Sequence, residues 1–250
     1  ERFDYSGLRE EPFRRLLMSE MQRFYNEQNE YYVKKLKPLF SKNGFCICEY
    51  KDLSVENTQR VNDYFFKTIF PMLTPMVFDN YHTFPTLMNN RLLFGVVTKN
   101  PVENQNQQKV SFIQVPHNLP RFYELTDDSG MLFVPIEDII RNNIQQLFRN
   151  VEIISTNLFR INRNGDFTLE ESEDIESNFL EDLKRKLKTR LTCRVVRLEV
   201  EENPDPWMMR LLKIQWDLDD NNIVHIPQGS LIDFSGLLQI ILTTLNRRSD

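Results

Sequence analysis

The sequence predicts an α+β fold, in which a long N-terminal helix precedes a mainly antiparallel sheet with helices packed on it. Three observations predict it. Apolar residues recur at helical spacing from Glu11 to Lys42. Short runs of Val, Ile, Leu and Phe come next, and several are joined by turn-forming residues in the manner of hairpins. No repeating strand–helix–strand rhythm runs along the chain, which disfavours a doubly wound parallel sheet.

The first helix carries Leu16, Leu17, Phe24, Tyr31 and Leu39 among charged neighbours, with Pro12 near its start. Pro38 is expected to end or kink its last turn, and Gly44 to stop it. Phe45 to Cys48 then reads as a short buried strand. A second helix starts at the N-cap Ser54, with Asn57 where a full capping box would need Glu or Gln. Its apolar set is Val55, Val61, Phe65, Phe66 and Ile69, and Pro71 and Pro75 close it. Residues 74–90, rich in Pro, Asn, Asp and Thr, read as loop.

Residues 92–97 and 110–115 form one expected hairpin, and 122–125 with 131–134 another. Pro135 opens a helix with Ile136, Ile139, Ile140, Ile144, Leu147 and Phe148 on one face. Glu137 and Asp138 suit the positive end of its dipole. Residues 158–162 read as a strand, and Asn164-Gly165 as a turn leading to a return strand at 167–169. A helix from about Glu173 to Leu191 bears Ile175, Phe179, Leu183, Leu187 and Leu191 at steps of four. A strand at 195–200, a helix at 207–216, a strand at 223–226 and a helix ending near Leu245 complete the order. The many Phe residues are assigned to the core.

Composition limits the function. Of 250 residues, 40% are hydrophobic and 27% charged, which is a globular balance and excludes a wholly disordered chain. The length fits one or two domains. A formal charge of -5 argues against a basic nucleic-acid footprint over the whole surface, so no nucleic-acid partner is expected. No apolar run approaches the roughly 20 residues of a membrane span. The 7 Gly are scattered, so neither common phosphate-cradling loop can be built. Cys46, Cys48 and Cys193 form no disulfide framework and fit a reducing, cytoplasmic setting as buried structural residues. They share no zinc-type spacing with His82, His117 or His225. The chain opens at Glu1 and ends at Asp250 just after an apolar stretch, and a piece of a longer protein is expected.

Catalytic chemistry finds no foothold in the residues alone. No elbow motif surrounds any Ser, and the Cys residues lie in apolar runs. Asp217, Asp219 and Asp220 lack the Gly and closing Glu of a calcium loop. No catalytic, cofactor-binding or metal residue is therefore assigned. The candidate contact set is Lys184, Arg185, Lys186, Lys188 and Arg190, which could grip a polyanion through phosphate contacts. A solvated helix face whose cations complement the C-terminal dipole accounts for the same run.

Several segments together resemble the long bacterial polyphosphate kinases. Residues 69–75, Ile-Phe-Pro-Met-Leu-Thr-Pro, followed by His82-Thr83-Phe84-Pro85, resemble that family's Phe-Pro-x-Leu-Thr-Pro and His-Pro-Phe-Pro segment. Val115-Pro116 with Leu119-Pro120-Arg121-Phe122, then Phe133 to Ile140 through Leu147-Phe148, resemble its next landmarks. Phe159 to Arg163 and Val196 to Val200 complete the order. Thr83 departs from the family's Pro, and Asn80-Tyr81 from a Pro-Ala-type pair.

The resemblance implies a four-part parent with a helical N-terminal domain, a head domain and two catalytic C-terminal domains. Residues 1–44 would end the first part, and 45–250 would be the head (middle) domain. It also implies reversible transfer of the terminal phosphate of ATP to polyphosphate through a phosphohistidine, with magnesium. The family's catalytic residues have no counterpart here, so this piece is expected to be inactive alone, to bind neither Mg nor ATP, and to form a homodimer or higher homo-oligomer. The alternative expectation is a non-catalytic polyanion-binding or interaction module.

Overall fold

The computed structural model describes residues 10–79, 82–100, 108–127, 130–164 and 193–247. Helix α1 (Glu10–Tyr31) runs without a break through a wide π turn (Tyr32–Leu36) into α2 (Lys37–Lys42). Pro38, expected to end or kink the helix, does not end it. Its missing N–H and bulky ring are accommodated by the wider turn just before it, where the Lys37 N–H reaches back to the Tyr32 carbonyl. Gly44, at φ 80°, turns the chain into β1 (Phe45–Ile47). Helix α3 (Val55–Tyr64) is capped by Ser54, whose hydroxyl accepts from the Asn57 N–H at 3.2 Å. It too widens into a π turn (Phe65–Ile69) ahead of a proline, Pro71.

The strands build two sheets. The larger has the order β2 (Met76–Phe78), β4 (Gln108–Gln114), β3 (Leu92–Lys99), β7 (Glu152–Arg163), β8 (Val195–Glu201), β9 (Ile223–Ile226). The smaller has the order β1, β6 (Gly130–Pro135), β5 (Phe122–Asp127). All pairs are antiparallel except β1 with β6 and β8 with β9. Both expected hairpins form, β3–β4 and β5–β6. Strand β2 lies inside the segment expected to be loop; it is only three residues long and takes its backbone bonds from β4 at the sheet edge. The expected return strand at 167–169 and the helix from 173 to 191 lie outside the described residues.

Alternation on β3 divides the core. Leu92, Phe94 and Val96 face α3 and α4 (Ile136–Asn143), and Leu93 and Val97 face α5 (Pro206–Trp216). Gly95 lies under α5, where a Cβ would overlap the Met208 sulfur, so any other residue there would force the Met208 side chain to move. A third cluster joins Tyr32, Phe122, Phe133, Leu231 and Ile240, packing α6 (Leu237–Arg247) and the π turn against the smaller sheet.

Three core assignments need correction. Leu16, Leu17, Phe24, Tyr31 and Leu39 are all exposed, Phe24 to 60%. Val55 and Phe66 are exposed as well, so the aromatic content is not all core. In α1 the sheet-facing side is instead Tyr25 and Asn29, held by polar bonds. Tyr25 Oη donates to Glu199 at 2.8 Å, and the Ser230 hydroxyl bonds Asn29 Oδ1. Finally, Cys46 and Cys48 are half-buried rather than sealed away.

Candidate functional site

Lys184, Arg185, Lys186, Lys188 and Arg190 lie outside the described residues. The two flanks of that stretch meet: the Asn164 N–H donates to the Arg194 carbonyl at 2.9 Å, and Arg163 Nη1 to the Cys193 carbonyl at 2.6 Å. Beside them, Arg163, Arg194, Phe84 and Trp216 line an open groove of about 550 Å³. Burial weakens the hold of Arg163 on its proton.

The other residues weighed for chemistry hold local structure. His82, His117 and His225 are all exposed, and His82 Nδ1 lies 2.6 Å from Asp79. Asp217 takes the left-handed conformation that ends α5. Asp219 caps the next turn and pairs with Arg14 of α1 at 3.0 Å, and Asp220 pairs with Lys213 at 2.5 Å. Among the described residues, no group of three or more His, Cys, Asp or Glu is placed to hold a metal ion. No described helix is long and apolar enough to cross a membrane.

A buried ionic network lies where α1, β7 and β8 meet. Glu199 is fully buried and accepts from Arg160 at 2.5 Å, Arg197 at 2.9 Å and Tyr25 at 2.8 Å. Register explains the first pair, since Arg160 of β7 lies directly opposite Glu199 of β8. Arg160 also reaches Asp233 at 3.5 Å. Burial would raise the Asp233 pKa, but hydrogen bonds from Ser235 and the charges of Arg160 and Arg121 outweigh it and hold the carboxyl below its usual range. Burial first, then Glu199, pushes the Tyr25 hydroxyl up. Arg121 forms a two-bond pair with Glu137 across the β5–α4 junction. Glu137 thus answers a cation as well as the helix dipole. Sequence reasoning missed this network. The available signal was the alternation of Arg160 with Ile161, and of Arg197 and Glu199 around Leu198, on two strands that the sequence did not pair with each other.

Next to the network, a cavity of about 490 Å³ opens between the π turn of α1, the start of α4 and the β8–β9 edge. Its wall includes Glu49, Glu137, Asp138, Glu201 and Glu202, against Lys37 and Arg141. Arg141 is spent on Glu201 at 2.6 Å and the Thr156 carbonyl at 3.0 Å, with its guanidinium 5.3 Å from the Phe94 ring centre. Burial raises the Asp138 pKa although the Tyr50 N–H donates to it at 2.5 Å. A wall with this excess of carboxylates disfavours a polyanion.

These features define a mixed-sheet α+β domain in which the carboxylates of Glu199, Glu137 and Asp233 are each paired with arginine. Residues 56–240 match the family model described as the polyphosphate kinase middle domain, and the chain belongs to that family. It is 32% identical over 222 residues to "Polyphosphate kinase" of Dictyostelium discoideum, covering 88% of this chain and 21% of that protein. It is likewise 32% identical to "Polyphosphate kinase" of Mycolicibacterium gilvum, covering 84% of this chain and 28% of the other. Among solved structures it resembles the polyphosphate kinase of Porphyromonas gingivalis with a TM-score of 0.68 and 17% identity, over 91% of this chain and 32% of that one. That likeness speaks for the fold. The chain spans between about a fifth and a third of the length of these relatives.

Proposed function

We propose that this chain is a non-catalytic scaffold of a polyphosphate kinase, and that it pairs with a second copy of itself. In the whole protein the reaction would be reversible transfer of the ATP terminal phosphate to polyphosphate through a phosphohistidine, with magnesium and ATP held by residues outside this chain. The observation that carries the pairing role is α6. Ile240 faces the core at 1% exposure, while Leu238, Ile241, Leu242 and Leu245 are 52–60% exposed. Those four have i, i+3, i+4, i+7 spacing and share an arc of about 100°, which is the pattern of a helix seam. Internal pairing of Glu199, Glu137 and Asp233 supports a scaffold role over a catalytic one.

Sedimentation of the 250-residue chain at high micromolar concentration tests the reading. A concentration-dependent dimer is expected, and Leu242→Lys should shift it to monomer. A strictly monomeric chain would count against pairing. Incubation with ATP, magnesium and polyphosphate should yield no phosphate transfer, and transfer would overturn the non-catalytic reading.

A second reading is favoured by one observation: the flanks of the stretch carrying Lys184 to Arg190 emerge beside Arg163 and Arg194 in an open groove. In that reading the chain guides polyphosphate. Titration with polyphosphate at low and moderate salt decides it. Salt-sensitive binding lost on reversing Lys184, Arg185, Lys186, Lys188 and Arg190 would support it, and salt-insensitive or absent binding would sink it.

A further inference from the structure

Cys46 lies in β1 and Cys48 directly follows its last residue, Ile47, with its N–H still bonded to the Phe133 carbonyl of β6, so the alternation of extended chain sends both side chains to the same side. They lean together: the Cys48 thiol donates to the Cys46 sulfur at 3.1 Å, nearer than its 4.0 Å approach to the Cys46 carbonyl oxygen. A disulfide needs about 2.0 Å between sulfurs and about 3.5–4.5 Å between Cβ atoms, so the sulfurs must approach by about 1 Å and the strand must draw the two Cβ atoms together. Both residues are half-buried, and Cys48 forms part of the wall of the acidic cavity.

We propose that Cys46 and Cys48 form an oxidisable dithiol that closes to an intrachain disulfide by exchange with a low-molecular-weight disulfide such as oxidised glutathione. The Cys46 thiolate attacks one glutathione sulfur and expels a glutathione thiolate, leaving a mixed disulfide on Cys46. Cys48 then gives up its proton and attacks the Cys46 sulfur, breaking the bond to glutathione and expelling the second thiolate. Two protein thiols are oxidised, one glutathione disulfide is reduced, and the two protons end on two glutathione thiols.

The surroundings of Cys48 set this order. Burial, the hydrogen bond to Cys46 and the nearby Asp52 and Asp127 push its thiol up to about 12, so it stays protonated while Cys46 attacks. The strand sets the strength of the bond. Residues two apart in extended chain lie about 6.6 Å apart at Cα, near the upper end of the range a disulfide spans. The Cys48 N–H is held to the Phe133 carbonyl at 3.0 Å, so β1 resists the pull. The disulfide is therefore strained and easily reduced, as a reversible couple requires.

The test uses the 250-residue chain carrying Cys193→Ser, with native circular dichroism as the check of folding. After oxidised glutathione, the intact mass should fall by two hydrogens with no adduct, and dithiothreitol should restore it. Cys48→Ser on the same background should instead hold one glutathione. A lasting adduct on the chain with both thiols, a disulfide between two chains, or no reaction would overturn the proposal. Phenylarsine oxide gives a second readout that needs no oxidation. One arsenical should bridge the pair and resist a monothiol but yield to a dithiol, with retention falling at least about tenfold in either single-thiol variant. Equal retention by the single-thiol variants would also overturn it.

Discussion

Strand β3 and helix α1 are both rich in apolar side chains, and the fold treats them in opposite ways. Every β3 residue from Leu92 to Val97 is buried, because helices cover both faces of the sheet there. In α1 the apolar stripe of Leu16, Leu17 and Phe24 points away from the protein, and the docked side is made of Tyr25, Asn29 and Arg14. Apolar periodicity shows that a face exists to be covered. It does not say what covers it. For β3 the cover is within this chain, and for α1 the chain supplies polar anchors instead.

The widest gap should appear between Phe94→Ala and Phe24→Ala. Removing the Phe94 ring leaves a cavity between β3 and α4 and also takes the surface from under Arg141. A loss of about 3–5 kcal/mol is expected in urea unfolding. Next, Glu199→Gln removes the charge that balances Arg160 and Arg197, and a loss of about 3 kcal/mol is expected by the same measurement. If α1 were held by apolar contact, this substitution would leave its docking unchanged; limited proteolysis of α1 should instead accelerate.

The third expectation concerns acid. Asp233 has its folded pKa below its unfolded value, so it contributes stability above the ordinary Asp value of about 3.9, and that stability is lost as pH falls through the folded value. Asp233→Asn should flatten the acid limb of stability against pH below about 4, measured by thermal unfolding across that range. An unchanged limb would remove Asp233 from the anchoring of the network. The smallest effect is assigned to Phe24→Ala, within about 0.5 kcal/mol of the parent chain, since no core packing is lost. A loss comparable to that of Phe94→Ala would show that the α1 stripe is covered after all.

Much of this fold was legible in the sequence. The runs at 92–97, 110–115, 122–125 and 131–134 alternate or bury strongly and are bounded by turn residues, so both hairpins could be read locally. The parallel pairings of β1 with β6 and β8 with β9 could not, because no turn joins the partners and only tertiary packing brings them together. Strand β2 escaped notice because three residues in a Pro-rich stretch carry too little pattern. The ionic network needs strand pairing and register, which no local pattern encodes; Arg160 and Glu199 look like two ordinary outward charges until β7 and β8 are aligned. The exposed stripe of α1 was visible as a stripe, but its direction was set by hydrogen bonds to Glu199 and Ser230 that no local pattern encodes.

The π turn at Tyr32–Leu36 fits one more residue into the helix than an α turn would. It works as a spacer that keeps the phase. The bond from the Lys37 N–H puts Tyr32 where the partner of an ordinary α turn would lie, so the extra residue is taken up in the bulge and α1 keeps its rotation relative to α2. Removing a single residue there would restore an ordinary α-helical turn and leave Tyr25 and Asn29 on Glu199 and Ser230, whereas removing one from the regular part of the helix after Tyr25 and Asn29, where no bulge absorbs it, would rotate the residues before it by about 100° and swing those anchors off. The bulge thus lets the count of residues ahead of Pro38 differ by one without changing the side of α1 offered to the outside.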